Sequence, residues 1–405
     1  MNILFLTMVR IDSLRGSNLY VDLIKDLIKN GNKIYIANPS ERRHNKNTHL
    51  IKRENYEILK IKTLNLQKTN VIEKGIGQLL MEYQFEAAIN KYWNNVKFDL
   101  ILYSTPPITF NKVIEKLKKR DNARAYLMLK DIFPQNAIDL GMMKKDSFLY
   151  KMFRKKETKL YSISDKIGCM SPANIDFIIK NNPDIEKTKL ELCPNSIEIK
   201  KITKPTKSQK DLIFNKYSIP TDKVVSIYGG NLGKPQGIDF LIEVLEENEN
   251  LKNNFIIIIG SGTEYSKLKK WFDEIKPLNS KLISILPKEE YDWLVQIADI
   301  GLIFLDHRFT IPNFPSRILN YLECSLPILF ATDPITDVGK IADENSFGFW
   351  SESNDLNGFM NNLKKLVDNK SLREEMGKRG RNFLINNYSV ENTSIPILKF
   401  ARKKY

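Results

Sequence analysis

The chain has 405 residues, 42% of them hydrophobic, and carries 63 basic against 48 acidic side chains, a formal charge of +15. That length suits two or three packed domains. No apolar run reaches the roughly 18–20 residues of a spanning helix, and Cys169, Cys193 and Cys324 are too scattered for a disulfide or zinc framework, which fits a reducing cytoplasm. His44, His49 and His307 form no metal motif either.

The chain opens on Asn2–Met8, a dense apolar run that reads as a buried parallel strand rather than a signal peptide. Leu19, Leu23, Ile24, Leu27 and Ile28 recur at helical spacing over Ser17–Asn30, and Gly31 suits the stop. Strands follow at Lys33–Ala37, Asp99–Tyr103, Ala125–Leu129, Ile167–Met170 and Lys189–Leu192. The Pro106–Pro107 pair is expected to open a helix, and another begins near Pro172. Residues 196–222 are polar and read as a linker. The alternation then restarts, with strands at Lys223–Tyr228, Phe255–Ile259, Lys281–Leu286, Ile300–Leu305 and Pro327–Ala331. Helices fall at Gly237–Leu245, Tyr291–Ala298, Pro315–Cys324, Asn354–Asp368 and Ser371–Asn386. Strand–helix alternation in both halves predicts an α/β architecture of two Rossmann-like doubly wound sheets with a cleft between them. Ligands of such sheets bind beyond the carboxyl ends of the strands, so the loops there hold the function.

Gly16 and Ser17 follow the first strand. A glycine there lets backbone N–H groups approach an anion, or simply makes a turn. Gly229-Gly230-Asn231-Leu232-Gly233, with Lys234, follows the first strand of the second half, and Gly260-Ser261-Gly262 follows the second. Neither loop is a dinucleotide fingerprint. In Pro312–Glu323, Asn313 is placed to cap a helix. Ser316, Asn320 and Glu323 then share one face, and Arg317 adds a guanidinium. A carboxylate such as Glu323 suits the paired hydroxyls of a ribose. Asp131, at a strand end in the first half, is either an acceptor-orienting acid or an N-cap.

Taken together the chain resembles family 4 of the retaining glycosyltransferases, which have the GT-B fold. "LCPNSIEI" (192–199) is similar to that family's interdomain segment. "IYGGNLGKPQGIDFLIEVL" (227–245), "IIIIGSGTEYSKLK" (256–269), "ADIGLIFL" (298–305) and "FPSRILNYLECSLPIL" (314–329) follow in the family's order and spacing. "STPP" (104–107), "LKDIFPQNAIDLG" (129–141) and "GNLGKPQG" (230–237) resemble the enzymes that add N-acetylfucosamine-type sugars in bacterial O-antigen or capsule synthesis. The resemblance implies an acceptor domain over 1–198 and a donor domain over 199–386, with the tail 387–405 folding back on the first. It implies a nucleotide-sugar donor (UDP by family habit), a lipid-linked saccharide acceptor, and no metal or other cofactor. Donor contacts are expected at Gly16, Ser17, Gly230, Asn231, Lys234, Gln236, Gly260, Gly262, Leu286, Ser316, Arg317, Asn320 and Glu323, and catalytic roles at Asp131 and Lys130. Glu323 takes the place of the second Glu of the family's paired-glutamate motif. The first falls on Pro315, the family's phosphate-binding Arg and Lys fall on Asn231 and Gln236, and its acceptor-domain His falls on Lys130. Arg317 or Lys234 is therefore expected to neutralise the diphosphate.

The +15 charge favours a polyanionic partner, although a lysine-rich surface also serves solubility. Residues 144–160 hold seven basic and two acidic side chains interleaved with apolar ones. Phe148, Lys151, Met152, Phe153, Arg154 and Lys155 are accordingly expected to face an anionic membrane, with the protein peripheral on the inner leaflet. Residues 71–93, with Leu79, Leu80, Tyr83 and Phe85, and the basic tail Lys399–Lys404 are further membrane candidates. An amphipathic core helix has the same pattern. Rival readings are a nucleotide-sugar 2-epimerase, a non-catalytic lectin-like subunit and a nucleic-acid-binding protein. The last lacks a motif, so no nucleic acid is expected.

Overall fold

The computed structural model describes residues 1–66, 71–202 and 205–403; Thr203 and Lys204 of the linker and Lys404 of the basic tail lie outside the described residues. The chain divides into two units, Met1–Glu198 together with the chain from Ser389 on, and Ile199–Tyr388.

The first unit begins with β1 (Asn2–Leu6), α1 (Leu19–Lys29) and β2 (Lys33–Glu41). An antiparallel pair, β3 (His49–Lys52) and β4 (Tyr56–Thr63), precedes the long α2 (Val71–Tyr92). Then come β5 (Leu100–Ser104), α3 (Asn111–Asp121), β6 (Arg124–Leu129), α4 (Gln135–Asp139), α5 (Phe148–Ile163), β7 (Lys166–Cys169), α6 (Pro172–Asn181) and β8 (Leu190–Leu192). Among the described residues the sheet runs β3-β4-β2-β1-β5-β6-β7-β8. β1 and β5 take the middle because Ile3–Leu6 and Leu100–Tyr103 are apolar on both faces and fully buried. Asn18 caps α1 by accepting the Tyr20 and Val21 N–H groups, each at 3.0 Å. The Leu23, Ile24 and Leu27 row of α1 is buried on the sheet, at roughly 1.5–3 kcal/mol per side chain.

The second unit holds α7 (Lys207–Tyr217), β9 (Val224–Asn231), α8 (Ile238–Asn248), β10 (Asn254–Ser261), α9 (Tyr265–Ile275), β11 (Ser280–Ile283) and α10 (Lys288–Ile297). It continues through β12 (Ile300–Phe304), α11 (Arg317–Glu323), β13 (Ile328–Thr332), α12 (Val338–Glu344), β14 (Gly348–Glu352), α13 (Leu356–Asp368) and α14 (Lys370–Asn387). Its all-parallel sheet runs β11-β10-β9-β12-β13-β14. The last helix, α15 (Val390–Arg402), belongs to the first unit. Its Val390, Ile397 and Leu398 join that core, and Ser394 Oγ donates to the buried Asp26.

Several sequence expectations shift. The polar stretch 196–222 carries α7, begun by a reciprocal Thr206–Gln209 capping box. The helix after Pro106–Pro107 starts only at Asn111, and the strand expected to reach Leu286 ends at Ile283. α11 starts at Arg317 with Ser316 at its N-cap. Asn313 does not cap it: its amide donates to the Ile311 carbonyl, and its N–H to Thr336 Oγ1.

Each sheet is built outward in both directions from its first strand. The chain goes β1 to β2 and then returns to β5; it goes β9 to β10 and β11 and then returns to β12. The strand order thus reverses at β1/β5 and at β9/β12, and the loops beyond those carboxyl ends are where such folds bind ligands.

Candidate active site

In the second unit, β9 ends in Gly229-Gly230-Asn231. A Cβ on Gly229 would come within 2.3 Å of the Tyr291 ring, so only glycine lets α10 close on the strand end. Gly230 has φ +136 and faces the Arg317 guanidinium, whose Nη2 would sit 3.2 Å from an added Cβ. Tyr321 of α11 locks the same strand end: its hydroxyl donates to the Ile227 carbonyl and accepts the Gly229 N–H at 3.1 Å. Arg317 lies 4.3 Å over the Tyr228 ring. Its Nη1 is buried without a hydrogen-bond partner, and among the described residues no carboxylate pairs with it. Its neighbours are the phenols of Tyr228, Tyr291 and Tyr321. A guanidinium is always charged, and a buried one without a counter-ion is costly unless an anion joins it.

The other expected donor residues divide. Asn320 lies near Tyr291, beside Arg317. Ser316 and Lys234 are exposed, and Leu286 is half-buried in the loop before α10. Asn231 and Gln236 are tied to each other: Asn231 Nδ2 donates to Gln236 Oε1 at 2.8 Å, and that oxygen also takes the Gly233 N–H. They fix the 233–236 turn and bring no charge. Gly260 and Gly262 make room for the chain itself, since a Cβ would stand 1.9 Å from the Gly230 carbonyl oxygen and 2.2 Å from that of Leu232. Glu323 is held one turn beyond Asn320. Its Oε1 accepts the Lys200 N–H at 3.1 Å, and burial pushes its carboxyl up against the pull of that N–H, Lys200 and Arg381.

In the first unit, Gly16 takes φ +85 with open space around it. Ser17 donates to Asp22, and the first-turn N–H groups at Tyr20 and Val21 are already taken by Asn18, which leaves less of this helix start for an anion than the loop sequence promised. Asp131 stands where β6 ends. Burial raises its carboxyl to about 6, against stabilisation of the charge by the Ile132 N–H and by Asn136, whose Nδ2 reaches both oxygens at 3.0 and 3.1 Å. It caps no helix; Pro134 holds that position at α4. Lys130 turns the other way: its Nζ donates to the Cys193 carbonyl at 3.2 Å, and burial lowers its pKa. The side chains of Lys130 and Asp131 do not form a pair.

Residues 209–383 match the family model for glycosyl transferases group 1. This stretch of the second unit has the sequence pattern of a glycosyltransferase domain. It is 22% identical over 288 residues to a probable glycosyltransferase, WbjE, of Pseudomonas aeruginosa, covering 71% of this chain and 70% of the relative. It is 21% identical over 213 residues to the Escherichia coli UDP-Gal:alpha-D-GlcNAc-diphosphoundecaprenol alpha-1,3-galactosyltransferase, covering 51% and 52%. The E. coli trehalose-6-phosphate protein solved with UDP-2-fluoro glucose superposes with a TM-score of 0.76 over 100% of this chain and 99% of that one, at 12% identity, and has the same GT-B fold.

Two features of this glycosyltransferase escape the sequence reading. Lys60 on β4 is buried. Its Nζ donates to Asp12 and Asn38 at 2.7 Å and to the Ile11 carbonyl at 3.3 Å, pinning the loop after β1 over the strand ends. Asp306 follows β12, where a bidentate Arg308 at 2.7 and 2.8 Å helps hold its carboxyl low against burial, and its N–H reaches the Pro235 carbonyl. A lone charge in an unread strand and an acid–base pair two residues apart carry no motif. The membrane expectation is also corrected at two residues. Phe153 is only 7% exposed and packs on Phe133 at 5.0 Å, and Arg154 is spent on Glu157 and the Asn181–Asn182 turn. Phe148, Lys151 and Lys155 are exposed and Met152 is half-buried. Among the described residues no helix is long and apolar enough to cross a membrane.

Proposed function

We propose that this enzyme moves an N-acetylated deoxyhexosamine from a UDP-sugar to a polyprenyl-diphosphate-linked saccharide, with retention of anomeric configuration, in bacterial surface-polysaccharide synthesis at the inner face of the plasma membrane. The observation that carries the donor half is Arg317, half-buried beside Gly230 with its Nη1 buried and unpartnered. Charge develops on the leaving diphosphate in the transition state, and a fixed guanidinium in a dry site stabilises it there without reorganisation. Asn231 and Gln236 are bonded to each other, so in this reading Arg317 replaces them at the phosphates, with exposed Lys234 beside the turn. Asn320 shares the α11 face with Glu323, and Glu323 keeps the proposed ribose role through its second carboxylate oxygen.

The acceptor half rests on Asp131. With its carboxyl raised to about 6, it is ionised at neutral pH yet basic enough to hold and deprotonate a sugar hydroxyl. No resident metal or cofactor enters the scheme. The UDP-bound neighbour and the relative named for a diphosphoundecaprenol substrate support the chemical classes chosen for donor and acceptor. The test is turnover of UDP-sugars with a prenyl-diphosphate-linked monosaccharide, with the product anomer read by NMR. Transfer with retention is expected. Release of UDP with a 2-epimerised free sugar would replace this reading by the epimerase one.

A further inference from the structure

Helices α2, α3 and α5 lie side by side on the first unit, and their contacts advance in step. Glu82 accepts the Lys112 N–H and Glu86 pairs with Lys116; Asn111 Nδ2 donates to the Lys156 carbonyl at 2.9 Å and Lys159 pairs with Glu115 at 2.5 Å. The three helices therefore run parallel, and α2 and α5 both extend past the start of α3. At 1.5 Å per residue, Ile76 lies about 8 Å and Phe148 about 12 Å before the level of Asn111. That end of the layer is the carboxyl edge of the sheet, because α3 follows β5 there, and it is the edge that carries Asp131.

Along this part of the layer α2 is apolar on two faces. Met81, Phe85 and Ile89 point into the core. Ile76, Leu79, Leu80 and Tyr83 recur at i, i+3, i+4 and i+7 and are 38–52% exposed. The outward stripe of a water-facing helix is normally polar. On the α5 side Phe148 is 85% exposed, next to the half-exposed Leu149. Lysines frame both tips. Lys112 sits 5.0 Å over the Tyr83 ring, and Lys144, Lys145, Lys151 and Lys155 are exposed, with Asp146 the one exposed acid among residues 144–155.

We propose that these two overhangs are a docking surface for an anionic lipid bilayer. The stripe Ile76–Tyr83 and Phe148 insert at the headgroup–acyl boundary, and the lysines engage the headgroups. The charge complementarity selects a lipid surface over a neutral apolar partner. The docking stands on the surface alone; its use, to bring the Asp131 edge to a lipid-linked acceptor, rests on the proposed function.

The test is co-sedimentation of the full chain with phosphatidylcholine vesicles that contain or lack phosphatidylglycerol, at low and high salt. Binding should require phosphatidylglycerol and fall with salt. Leu79→Ser/Leu80→Ser should lower the partition coefficient about 10-fold or more, with circular dichroism unchanged because both side chains face outward. Phe148→Ser, on a separate helix, gives an independent second variant with the same expected direction. Wild-type protein that ignores phosphatidylglycerol, or variants that bind as wild type, would overturn the proposal. So would a wild-type dimer that the double variant converts to monomer, since a second copy would then cover the stripe. Vesicle binding without sugar transfer would leave the docking surface standing and remove the functional reading instead.

Discussion

Asp131→Asn should make the protein more stable while removing its activity. A carboxyl whose native pKa rises from 3.8 to about 6 is penalised for ionising in the fold. Both native and unfolded forms are protonated well below pH 3.8, so the penalty is absent there. It grows as pH rises through the interval and is complete above about 6, where it amounts to at most about 3 kcal/mol. An amide removes it without changing shape. Asn136 donates Nδ2 to both Asp131 oxygens and has a buried Oδ1 with no partner, so a flip of its amide offers an acceptor to the new Nδ2. Scanning calorimetry should show the variant melting several degrees above wild type at pH 8, at about 2–4 °C per kcal/mol for a unit of this size. The gap should roughly halve at pH 5. Sugar transfer should fall by about 10²-fold or more, and the wild-type rate should rise with pH through about 6. A variant less stable than wild type at pH 8, or a gap independent of pH, would refute the burial argument. Full turnover would remove Asp131 from catalysis.

Gly260→Ala drives a Cβ into the Gly230 carbonyl oxygen and should cost about 3 kcal/mol or more in urea denaturation, with weaker nucleotide binding as β9 and β10 separate at the site. Lys60→Met keeps the shape of the buried stem but leaves the Ile11 carbonyl without its donor, Asp12 without its buried partner and Asn38 Oδ1 with the Ile11 N–H alone; a loss of about 1–3 kcal/mol is expected, with faster hydrogen exchange over the loop after β1. Glu323→Gln retains an oxygen for the Lys200 N–H, so the melting temperature should hold within about 2 °C while the KM for donor rises about 10-fold if the carboxylate grips the ribose. An unchanged KM would leave Glu323 as a tether of the Lys200 segment alone.

The alternation of apolar strands and amphipathic helices was legible because central parallel strands such as Ile3–Leu6 and Phe255–Ile259 are buried on both faces and tolerate nothing polar. Edge and near-edge elements were not. β4 carries Glu57, Lys60 and Lys62, whose charges are satisfied by Trp93, Asp12 and Asn47, none near in sequence. α7 is mostly polar and was hidden in a stretch that resembles a linker. At the site, Arg317 could be singled out because it opens a helix after a proline loop, but its lack of a counter-ion is a property of three tyrosines brought from β9, α10 and α11. The glycines at 260 and 262 have the pattern of a ligand loop, yet the space they open is occupied by residues 230 and 232. Glycine marks close approach; the sequence does not say of what. Phe153 and Arg154 sit in a basic, apolar helix whose inward face only the packing on Phe133 and Asn182 reveals.

The central claim is that Arg317 is the diphosphate anchor of a nucleotide-sugar site, and calorimetric titration of UDP into wild type and Arg317→Ala tests it most directly. The account predicts that UDP binds wild type and that the variant loses about 10²-fold or more in affinity. Equal UDP affinity in the two proteins, or no UDP binding by wild type, would contradict it.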